Sequence, residues 1–194
     1  MIFQDNSGHI SGKFWDATEN DIAQFKAGEV VQLSGKRELY QGNPQIKIYS
    51  MRLATQEEGN DPRTFVERAP EAPNAMEEEL NSFIFEITNA NWNRIVRKLI
   101  QDHKKAFFSY PAAKSNHHAF AGGLAFHTLS ILRLAKNVVA QYSSLNKSLL
   151  YAGAILHDLG KTIELSGPIS TEYTVPGNLI GHIVLIDEQI VLAA

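Results

Sequence analysis

His157 and Asp158 are adjacent in the chain and combine imidazole and carboxylate, the two side-chain types that bind a divalent metal ion without cysteine. They belong to the segment at residues 156–161 (LHDLGK), and further histidines stand upstream at His127 and downstream at His182. A metal ion held by such side chains activates water for attack on a phosphate ester. The pattern therefore predicts the site of a metal-dependent phosphohydrolase.

The His-Asp pair decides little by itself, because a chain with seven histidines often contains one by chance. Its surroundings decide more. Residues 148–159 have the spacing of a buried helix, whose predicted apolar side consists of Leu149, Leu150, Ala152, Ile155, Leu156 and Leu159. A core helix does not end in an unpaired ionisable pair, so His157 and Asp158 should have a partner for their charge. Gly160 fits the left-handed position that closes a helix, and Lys161 beside it offers a positive charge to a phosphate.

Two further predicted helices carry the flanking histidines. Residues 120–142 place His127 in an apolar stripe made of Phe120, Leu124, His127, Ile131, Leu134, Ala135, Val138 and Val139. Residues 179–192 place His182 among apolar neighbours, where Gly181 would allow close approach of another backbone segment. A single inward histidine is more often a hydrogen-bonded core residue, but three of them beside a carboxylate favour a shared metal site.

Four side chains are predicted to bind the metal ion: His127, His157, Asp158 and His182. Their ligand atoms should lie within roughly 6 Å of one another, since metal–ligand distances are about 2.0–2.2 Å. Asp158 is the best candidate to bridge two ions. The predicted catalytic residues are His157, Asp158 and Lys161, with Lys161 neutralising a non-bridging phosphoryl oxygen. Glu164 and Tyr173 are candidates for supporting positions around this site.

Composition limits the class of protein. With 194 residues and 44% hydrophobic content, the chain is long enough for one large or two small globular domains. Cysteine is absent, which excludes disulfide, zinc-thiolate and iron-sulfur sites and suits a cytoplasmic protein. No signal peptide or membrane-length apolar run is present, so no membrane partner is expected. Because the net charge is −3, a polyanion must be held by a local patch or by a metal ion.

The chain divides into a β-rich part and a helical part. Alternating apolar and polar residues predict strands of a small antiparallel unit at residues 9–15, 29–40 and 44–53, with a short helix or loop at 16–26. Residues 56–75 are rich in Glu, Asn, Asp, Pro and Arg, which is typical of a linker. Beyond them the sequence predicts helices at 76–89 and 91–104, followed by the three histidine-bearing helices.

The β-rich part combines cations with aromatic residues. Five cations, Lys13, Lys36, Arg37, Lys47 and Arg52, alternate with Trp15, Tyr40 and Tyr49 along the predicted strands. A sheet face of this kind can neutralise phosphates while its rings stack on bases, which would make these lysines and the two tyrosines a binding surface for single-stranded nucleic acid. In the alternative interpretation the aromatic residues fill a barrel core and the lysines solvate its edge. The pattern alone leaves both interpretations open.

Two stretches of the chain resemble known domain families. Residues 3–16 (FQDNSGHISGKFWD) look like the start of an OB-fold nucleic-acid-binding domain. Residues 111–118 (PAAKSNHH), 123–128 (GLAFHT) and 152–161 (AGAILHDLGK) resemble an HD-superfamily phosphohydrolase domain. An OB-fold followed by such an HD domain is similar to the YhaM-type 3′-to-5′ exoribonucleases of Gram-positive bacteria, and the resemblance covers nearly the whole chain.

The resemblance implies an α+β multidomain fold, with a partial OB-fold β-barrel at residues 1–55, a linker at 56–75 and an all-α HD-type domain at 76–194. It also implies a cytoplasmic exoribonuclease that hydrolyses single-stranded RNA to nucleoside monophosphates, is able to take single-stranded DNA and uses a divalent ion, with manganese expected. Whether the protein forms a homo-oligomer stays open. His117 and His118, just before the His127 helix, are predicted to contact the terminal nucleotide, with an unspecialised surface-loop pair as the alternative.

The chain departs from the family pattern at both ends. The strand before Phe3 and most of the next one are missing, and an HD domain normally continues past Ala194 to a further histidine segment and a final aspartate ligand. We therefore expect an internal piece of a longer protein. Its barrel should keep an unpaired strand edge. The barrel cannot cover all of its predicted core residues, which are Ile10, Phe14, Val31, Leu33, Ile46 and Ile48. This region should be poorly ordered or completed by another chain.

Three other functions fit parts of the sequence. An HD enzyme that cleaves small nucleotides explains the metal motif but leaves the β-rich part without a role. A nucleic-acid-binding module with a non-catalytic HD remnant fits the missing ligands. An SH3-like barrel joined to a helical interaction domain fits the order of the elements. Chelator-sensitive release of mononucleotides from a labelled strand separates an exonuclease from a passive binder.

Overall fold

The computed structural model describes residues 1–15, 17–115 and 118–194 of the chain. They form two compact units, Met1–Glu67 and Arg68–Ala194. The division falls inside the stretch predicted to be a linker. The first unit is built on a β-sheet and the second is helical, so the predicted α+β class is confirmed.

A four-stranded sheet organises the first unit, in the order β1-β2-β4-β3. Its strands are β1 (Ile2–Asp5), β2 (Gly8–Phe14), β3 (Val31–Tyr40) and β4 (Asn43–Leu53), and helix α1 (Glu19–Gln24) lies between β2 and β3 in the sequence. β1 was not predicted as a strand. β2 pairs with β4 in parallel, so the prediction of an antiparallel unit is wrong for this pair. Apolar alternation marks a strand but carries no information about the direction of its neighbour.

The sheet remains open, with β1 and β3 as its edges. This confirms the expected unpaired strand edge. On the apolar face Ile48 is buried, while the other predicted core residues are only half-buried: Ile10, Phe14, Val31, Leu33 and Ile46. The prediction that these residues cannot all be covered is therefore confirmed.

The beginning of the predicted linker is ordered against β4. A 3₁₀ turn at Gln56–Glu58 places the Glu58 carboxylate 2.5 Å from the Arg52 guanidinium and 2.9 Å from the Thr55 backbone nitrogen. The hydrogen bond from Arg52 lowers the pKa of Glu58 to about 2. A second 3₁₀ turn follows at Pro62–Thr64. Charged residues that suggested a flexible connection therefore form a short folded extension of the first unit.

Seven helices form the second unit in the part of the chain that the structure describes. They are α2 (Pro73–Phe85), α3 (Ala90–Phe107), α4 (Gly123–Gln141), α5 (Lys147–Leu156), α6 (Lys161–Glu164), α7 (Val175–Leu179) and α8 (His182–Ala193). Asn89 and Asn146 start α3 and α5 as side-chain caps, each accepting hydrogen bonds from first-turn backbone nitrogens. None of the described helices is long and apolar enough to span a membrane.

The buried faces of α4 and α5 differ from the apolar faces that the sequence pattern predicted. On α4 the fully buried positions include Ala125, Thr128, Leu129 and Leu132, which were not predicted, whereas Leu134 is 62% exposed and Val138 is 42% exposed. On α5, Leu149 is 54% exposed and lines a groove instead of packing in the core. Steps of three and four residues define a wide arc, and only tertiary packing determines which part of it faces the core. His127 consequently lies at the border of the core.

Candidate metal centre

Three of the predicted ligands, all histidines, converge on the carboxylate of the fourth, Asp158. Oδ2 of Asp158 lies 3.4 Å from Nε2 of His127 and 3.4 Å from Nε2 of His157, and these two imidazole nitrogens are 3.4 Å apart. Oδ1 of Asp158 lies 3.3 Å from Nε2 of His182. The ligand atoms of His127, His157 and Asp158 all lie within 4.8 Å of one another. Asp158 is therefore the central member of the cluster, with one oxygen directed to two histidines and the other to the third.

The cluster opens to solvent on one side. The Asp158 side chain is 10% exposed and that of His127 is 15% exposed, whereas that of His157 is 38% exposed. A protected carboxylate with a partly open histidine beside it is accessible to a ligand from solution.

Each histidine uses Nδ1 for a contact away from Asp158. Nδ1 of His157 donates to the carbonyl oxygen of Ala154 at 2.8 Å, and Nδ1 of His182 lies 3.0 Å from Oε1 of Glu164. Nδ1 of His127 lies 3.3 Å from Nδ1 of His118. Nε2 of all three rings is thus left to face the Asp158 carboxylate.

This donor set fits a cation. A carbonyl oxygen only accepts hydrogen bonds, so Nδ1 of His157 carries the hydrogen and Nε2 of the neutral ring has a lone pair directed at Asp158. Lone pairs that face each other require either a proton or a metal ion between them. Three imidazoles and a carboxylate, with the outer ring nitrogens engaged elsewhere, are typical of a divalent-metal site.

The electrostatics of the cluster follow from burial and mutual contact. Burial raises the pKa of Asp158, but the hydrogen bonds and positive charges of His157 and Lys161 outweigh it, so the pKa lies well below its usual range. The hydrogen bond to Asp158 raises the pKa of His157. Burial lowers the pKa of His127, which its attraction to Asp158 only partly offsets. Asp158 is therefore ionised at neutral pH, as a metal ligand must be.

Two glycines shape the backbone around the cluster, each in a way opposite to the prediction. Gly160 has φ −59°, so it does not occupy the left-handed position that was predicted. A Cβ there would lie 2.1 Å from the carbonyl oxygen of His182, so Gly160 is required for close approach. Gly181 has open space around it but φ +81°, a conformation that favours glycine, and it immediately precedes α8. Both glycines were predicted to have a structural role, but each has the role that was predicted for the other.

Lys161 lies at the cluster, in the position that was predicted. Its Nζ lies 3.0 Å from Oδ2 of Asp158 and donates to the carbonyl oxygen of Ala112 at 2.6 Å. Its side chain is 15% exposed. Lys161 is therefore a direct partner of Asp158.

The remaining predicted residues of the helical unit differ in placement. His118 has φ +57° and contacts His127, and His117 lies outside the described residues. Glu164 contacts His182 directly. Tyr173 is 45% exposed and forms a backbone bridge with Leu165.

A groove that the sequence did not predict adjoins the cluster. Its volume is about 560 Å³, and His157, Asp158 and His182 form part of its wall. The rest of the wall is mainly apolar and includes Trp92, Ile95, Leu149, Leu156, Ile183 and Ile186. Its residues come from α3, α5 and α8, so no single sequence segment contains a signal for it.

The predicted lysines and Tyr40 share one face of the sheet in the first unit, whereas Arg37 is the register partner of Ile46 on the other face. Lys47 is the register partner of Lys13 on one side and of Lys36 on the other, so the three lysines form a row across β2, β4 and β3. Nζ of Lys13 lies 4.4 Å from the ring centroid of Tyr40 and 5.3 Å from that of Trp15. The face thus carries three cations and adjacent aromatic rings.

The aromatic residues of this face are not core residues. Trp15 is 59% exposed, Tyr40 is 50% exposed and Tyr49 is 59% exposed. The interpretation in which they fill a barrel interior is therefore wrong. Tyr49 lies two residues after Lys47, at the register irregularity between β3 and β4.

Comparison with curated proteins shows which known proteins the chain as a whole is similar to. The chain is 47% identical over 190 residues to the 3′-5′ exoribonuclease YhaM of Listeria monocytogenes, in serotype 4b strain F2365 and in serovar 1/2a strain EGD-e. It is 46% identical to the 3′-5′ exoribonuclease YhaM of Listeria innocua. The predicted resemblance to YhaM is confirmed. No family model and no solved structure matches the chain.

The match to YhaM covers 98% of this chain and 61% of the length of the Listeria proteins. It therefore includes most of both units. The lysine row lies in the first unit and the His-Asp cluster in the second.

Proposed function

We propose that this chain carries the catalytic region of a metal-dependent 3′-to-5′ exoribonuclease that hydrolyses single-stranded RNA to nucleoside monophosphates. The observation that carries the proposal is the convergence of Nε2 of His127, His157 and His182 on the Asp158 carboxylate. The similarity to proteins named 3′-5′ exoribonuclease YhaM supports the choice of reaction. In this proposal the first unit is a partial OB-fold and the second is an HD-type domain.

The residues that would hold the metal ion are His127, His157, Asp158 and His182. Their nitrogen and oxygen donors suit manganese and related divalent ions. When bound, such an ion acts as a Lewis acid and lowers the pKa of a coordinated water toward about 7. Because the two oxygens of Asp158 face different histidines, Asp158 is the residue that would bridge two ions.

The side chains around the cluster would position the substrate. Lys161 would neutralise a non-bridging phosphoryl oxygen, since its ammonium group lies at the cluster with 15% of its side chain exposed. His118, next to His127, would contact the terminal nucleotide together with His117. The open side of the cluster at His157 would admit the 3′ end of the strand.

The lysine-bearing sheet face of the first unit would bind the RNA strand itself. The row of Lys13, Lys47 and Lys36 would neutralise successive phosphates, and Tyr40 and Tyr49 would stack on bases. Neither kind of contact depends on base identity or on the 2′-hydroxyl, which supports binding of single-stranded DNA as well as RNA. The absence of cysteine supports action in the reducing cytoplasm.

A nuclease assay with a matched variant tests this function. Single-stranded RNA labelled at its 5′ end is incubated with the chain and Mn²⁺, and the products are separated by length. We expect stepwise shortening from the 3′ end, release of nucleoside monophosphates and complete inhibition by a chelator. Asp158→Asn should abolish shortening, while Asp187→Asn, in the wall of the same groove, should retain it. Shortening that persists in Asp158→Asn or in the presence of chelator would contradict the proposal.

The groove beside the cluster favours one second candidate, hydrolysis of small nucleotides. Its volume of about 560 Å³ lies in the range of pockets that enclose small organic ligands. In that case nucleoside triphosphates or cyclic nucleotides would be hydrolysed in an Asp158-dependent manner while labelled RNA stays intact. Comparing the two substrates with one enzyme preparation separates the candidates.

A further inference from the structure

Glu164 is a buried carboxylate directed at one of the proposed ligands. It is the last residue of α6 and is 9% exposed. Its Oε1 accepts a hydrogen bond from the backbone nitrogen of His182 at 3.1 Å and lies 3.0 Å from Nδ1 of the same residue. A carboxylate buried at this depth requires hydrogen-bonding partners, and both of these contacts are to His182.

The backbones that carry the two side chains are fixed by close packing. A Cβ on Gly160 would lie 2.1 Å from the carbonyl oxygen of His182, and one on Gly177 would lie 2.3 Å from the carbonyl oxygen of Glu164. The carbonyl oxygen of Glu164 also accepts a hydrogen bond from the backbone nitrogen of Thr174 at 2.9 Å. Neither residue can move away from the other without disturbing these contacts.

The contact determines which ring nitrogen of His182 carries hydrogen. An ionised carboxylate only accepts hydrogen bonds, so Nδ1 of His182 is the donor toward Glu164. In the neutral ring Nε2 is then unprotonated, and it lies 3.3 Å from Oδ1 of Asp158. A lone pair facing a carboxylate oxygen at this distance is arranged for a cation between them.

We propose that Glu164 is a positioning residue, which holds the His182 ring by Nδ1 and keeps Nε2 available as a metal ligand. The inference rests on the proposed metal function of the cluster and adds a residue that does not touch the metal ion itself. His157 has a comparable partner in the carbonyl oxygen of Ala154. Glu164 differs because it is charged, and a charged acceptor on Nδ1 makes Nε2 a stronger donor to a metal ion.

The tautomer of His182 in the metal-free chain is the first test. The protein is labelled with nitrogen-15 histidine, and spectra are recorded at alkaline pH. The His182 signals are identified by their loss in His182→Gln. We expect Nδ1 to carry the hydrogen in the wild-type chain and the two tautomers to mix in Glu164→Ala. A wild-type ring with the hydrogen on Nε2 would overturn the proposal.

Metal affinity is the second test, measured by calorimetric titration with Mn²⁺. Glu164→Ala should weaken binding by about 10–100-fold, the range found for partners of metal-ligating histidines, and Glu164→Gln should weaken it less. The control is Glu188→Ala, an exposed carboxylate of α8, which should bind as the wild type does. Equal affinity in the wild type and both Glu164 variants would overturn the proposal.

The two tests separate this inference from the proposed function. The tautomer measurement needs neither metal ion nor substrate, and it uses the wild-type chain, so it remains decisive if Glu164→Ala does not fold. A chain with the expected tautomer that does not bind Mn²⁺ contradicts the metal function. A chain that binds Mn²⁺ and cleaves RNA, but with equal affinity in all Glu164 variants, contradicts only the role of Glu164.

Discussion

The ammonium nitrogen of Lys161 lies 3.0 Å from Oδ2 of Asp158, the oxygen that also faces His127 and His157. The same nitrogen donates to the carbonyl oxygen of Ala112 at 2.6 Å. A positive charge at this distance helps to keep Asp158 ionised and at the same time repels a divalent cation from that oxygen. The contact gives Lys161 two separable effects, one on metal binding and one on a bound phosphate.

Lys161→Gln should therefore affect affinity and rate differently. We expect affinity for Mn²⁺ to be unchanged or tighter, because a neighbouring cation has been removed. Hydrolysis of RNA should fall by about 10²-fold, since one donor to the developing phosphoryl charge is lost. Calorimetric titration and single-turnover kinetics measure the two quantities, with Lys98→Gln on α3 as the control. A loss of Mn²⁺ affinity in Lys161→Gln would instead assign Lys161 to holding Asp158 in place.

Two glycine-to-alanine substitutions should have opposite effects on stability. In Gly160→Ala the new Cβ meets the carbonyl oxygen of His182 at 2.1 Å, so the unfolding free energy should fall by about 1–3 kcal/mol and Mn²⁺ binding should weaken. Gly153 is in α5 with no atom within 4 Å of its added Cβ. Gly153→Ala should therefore stabilise the chain by about 0.4–1 kcal/mol. Urea denaturation followed by circular dichroism measures both, and a tolerated Gly160→Ala would contradict the close approach.

Two neighbouring cations on opposite faces of the sheet allow a matched test of single-stranded RNA binding. Lys36 is the register partner of Lys47 on the lysine face, whereas Arg37 is the partner of Ile46 on the apolar face. Lys36→Gln should weaken binding of single-stranded RNA and reduce the salt dependence of log K by about 0.7. Arg37→Gln should change neither quantity. Fluorescence anisotropy of labelled RNA over a range of salt concentrations measures both, and equal effects of the two substitutions would argue against a face-specific interaction.

The ion-pair network of Arg133 should make the stability of the helical unit depend on pH. Its guanidinium contacts Glu71 at 2.8 Å and Glu79 at 2.5 Å, and its hydrogen bond lowers the pKa of Glu79. Because the folded pKa is depressed, the stabilisation is present above the unfolded pKa of about 4.3 and is lost as pH falls through the folded value.

Arg133→Met should accordingly lower the unfolding free energy by about 1 kcal/mol at neutral pH, a small value because all three side chains are partly exposed. The difference from wild type should shrink below about pH 4. Arg97→Met serves as the control, since Arg97 donates to the neutral Asn93 at 2.8 Å. Denaturation curves at several pH values measure the effect. A difference that stays constant down to acidic pH would exclude the ion pairs as its source.

The sequence by itself determined the chemistry and the coarse architecture. The change from alternating to helical periodicity predicted a β-rich part followed by a helical part, because backbone geometry imposes those two periods directly. The positions of His127, His157, Asp158 and His182 in apolar helical segments predicted that their side chains turn inward. Inward histidines and an aspartate have few stable arrangements other than a shared site, so their convergence could be anticipated from residue type and spacing.

Tertiary structure decided everything that depends on pairs of distant segments. The parallel pairing of β2 with β4, the exposed position of Leu149 and the apolar groove each depend on which elements become neighbours. The glycines illustrate the reason, because Gly160 is required by the His182 carbonyl, which lies 22 residues further along the chain. Glu164 likewise meets His182 only when α6 packs against α8. Local periodicity specifies a broad apolar arc on each element, and only packing specifies which part of that arc faces the core and which atoms meet it there.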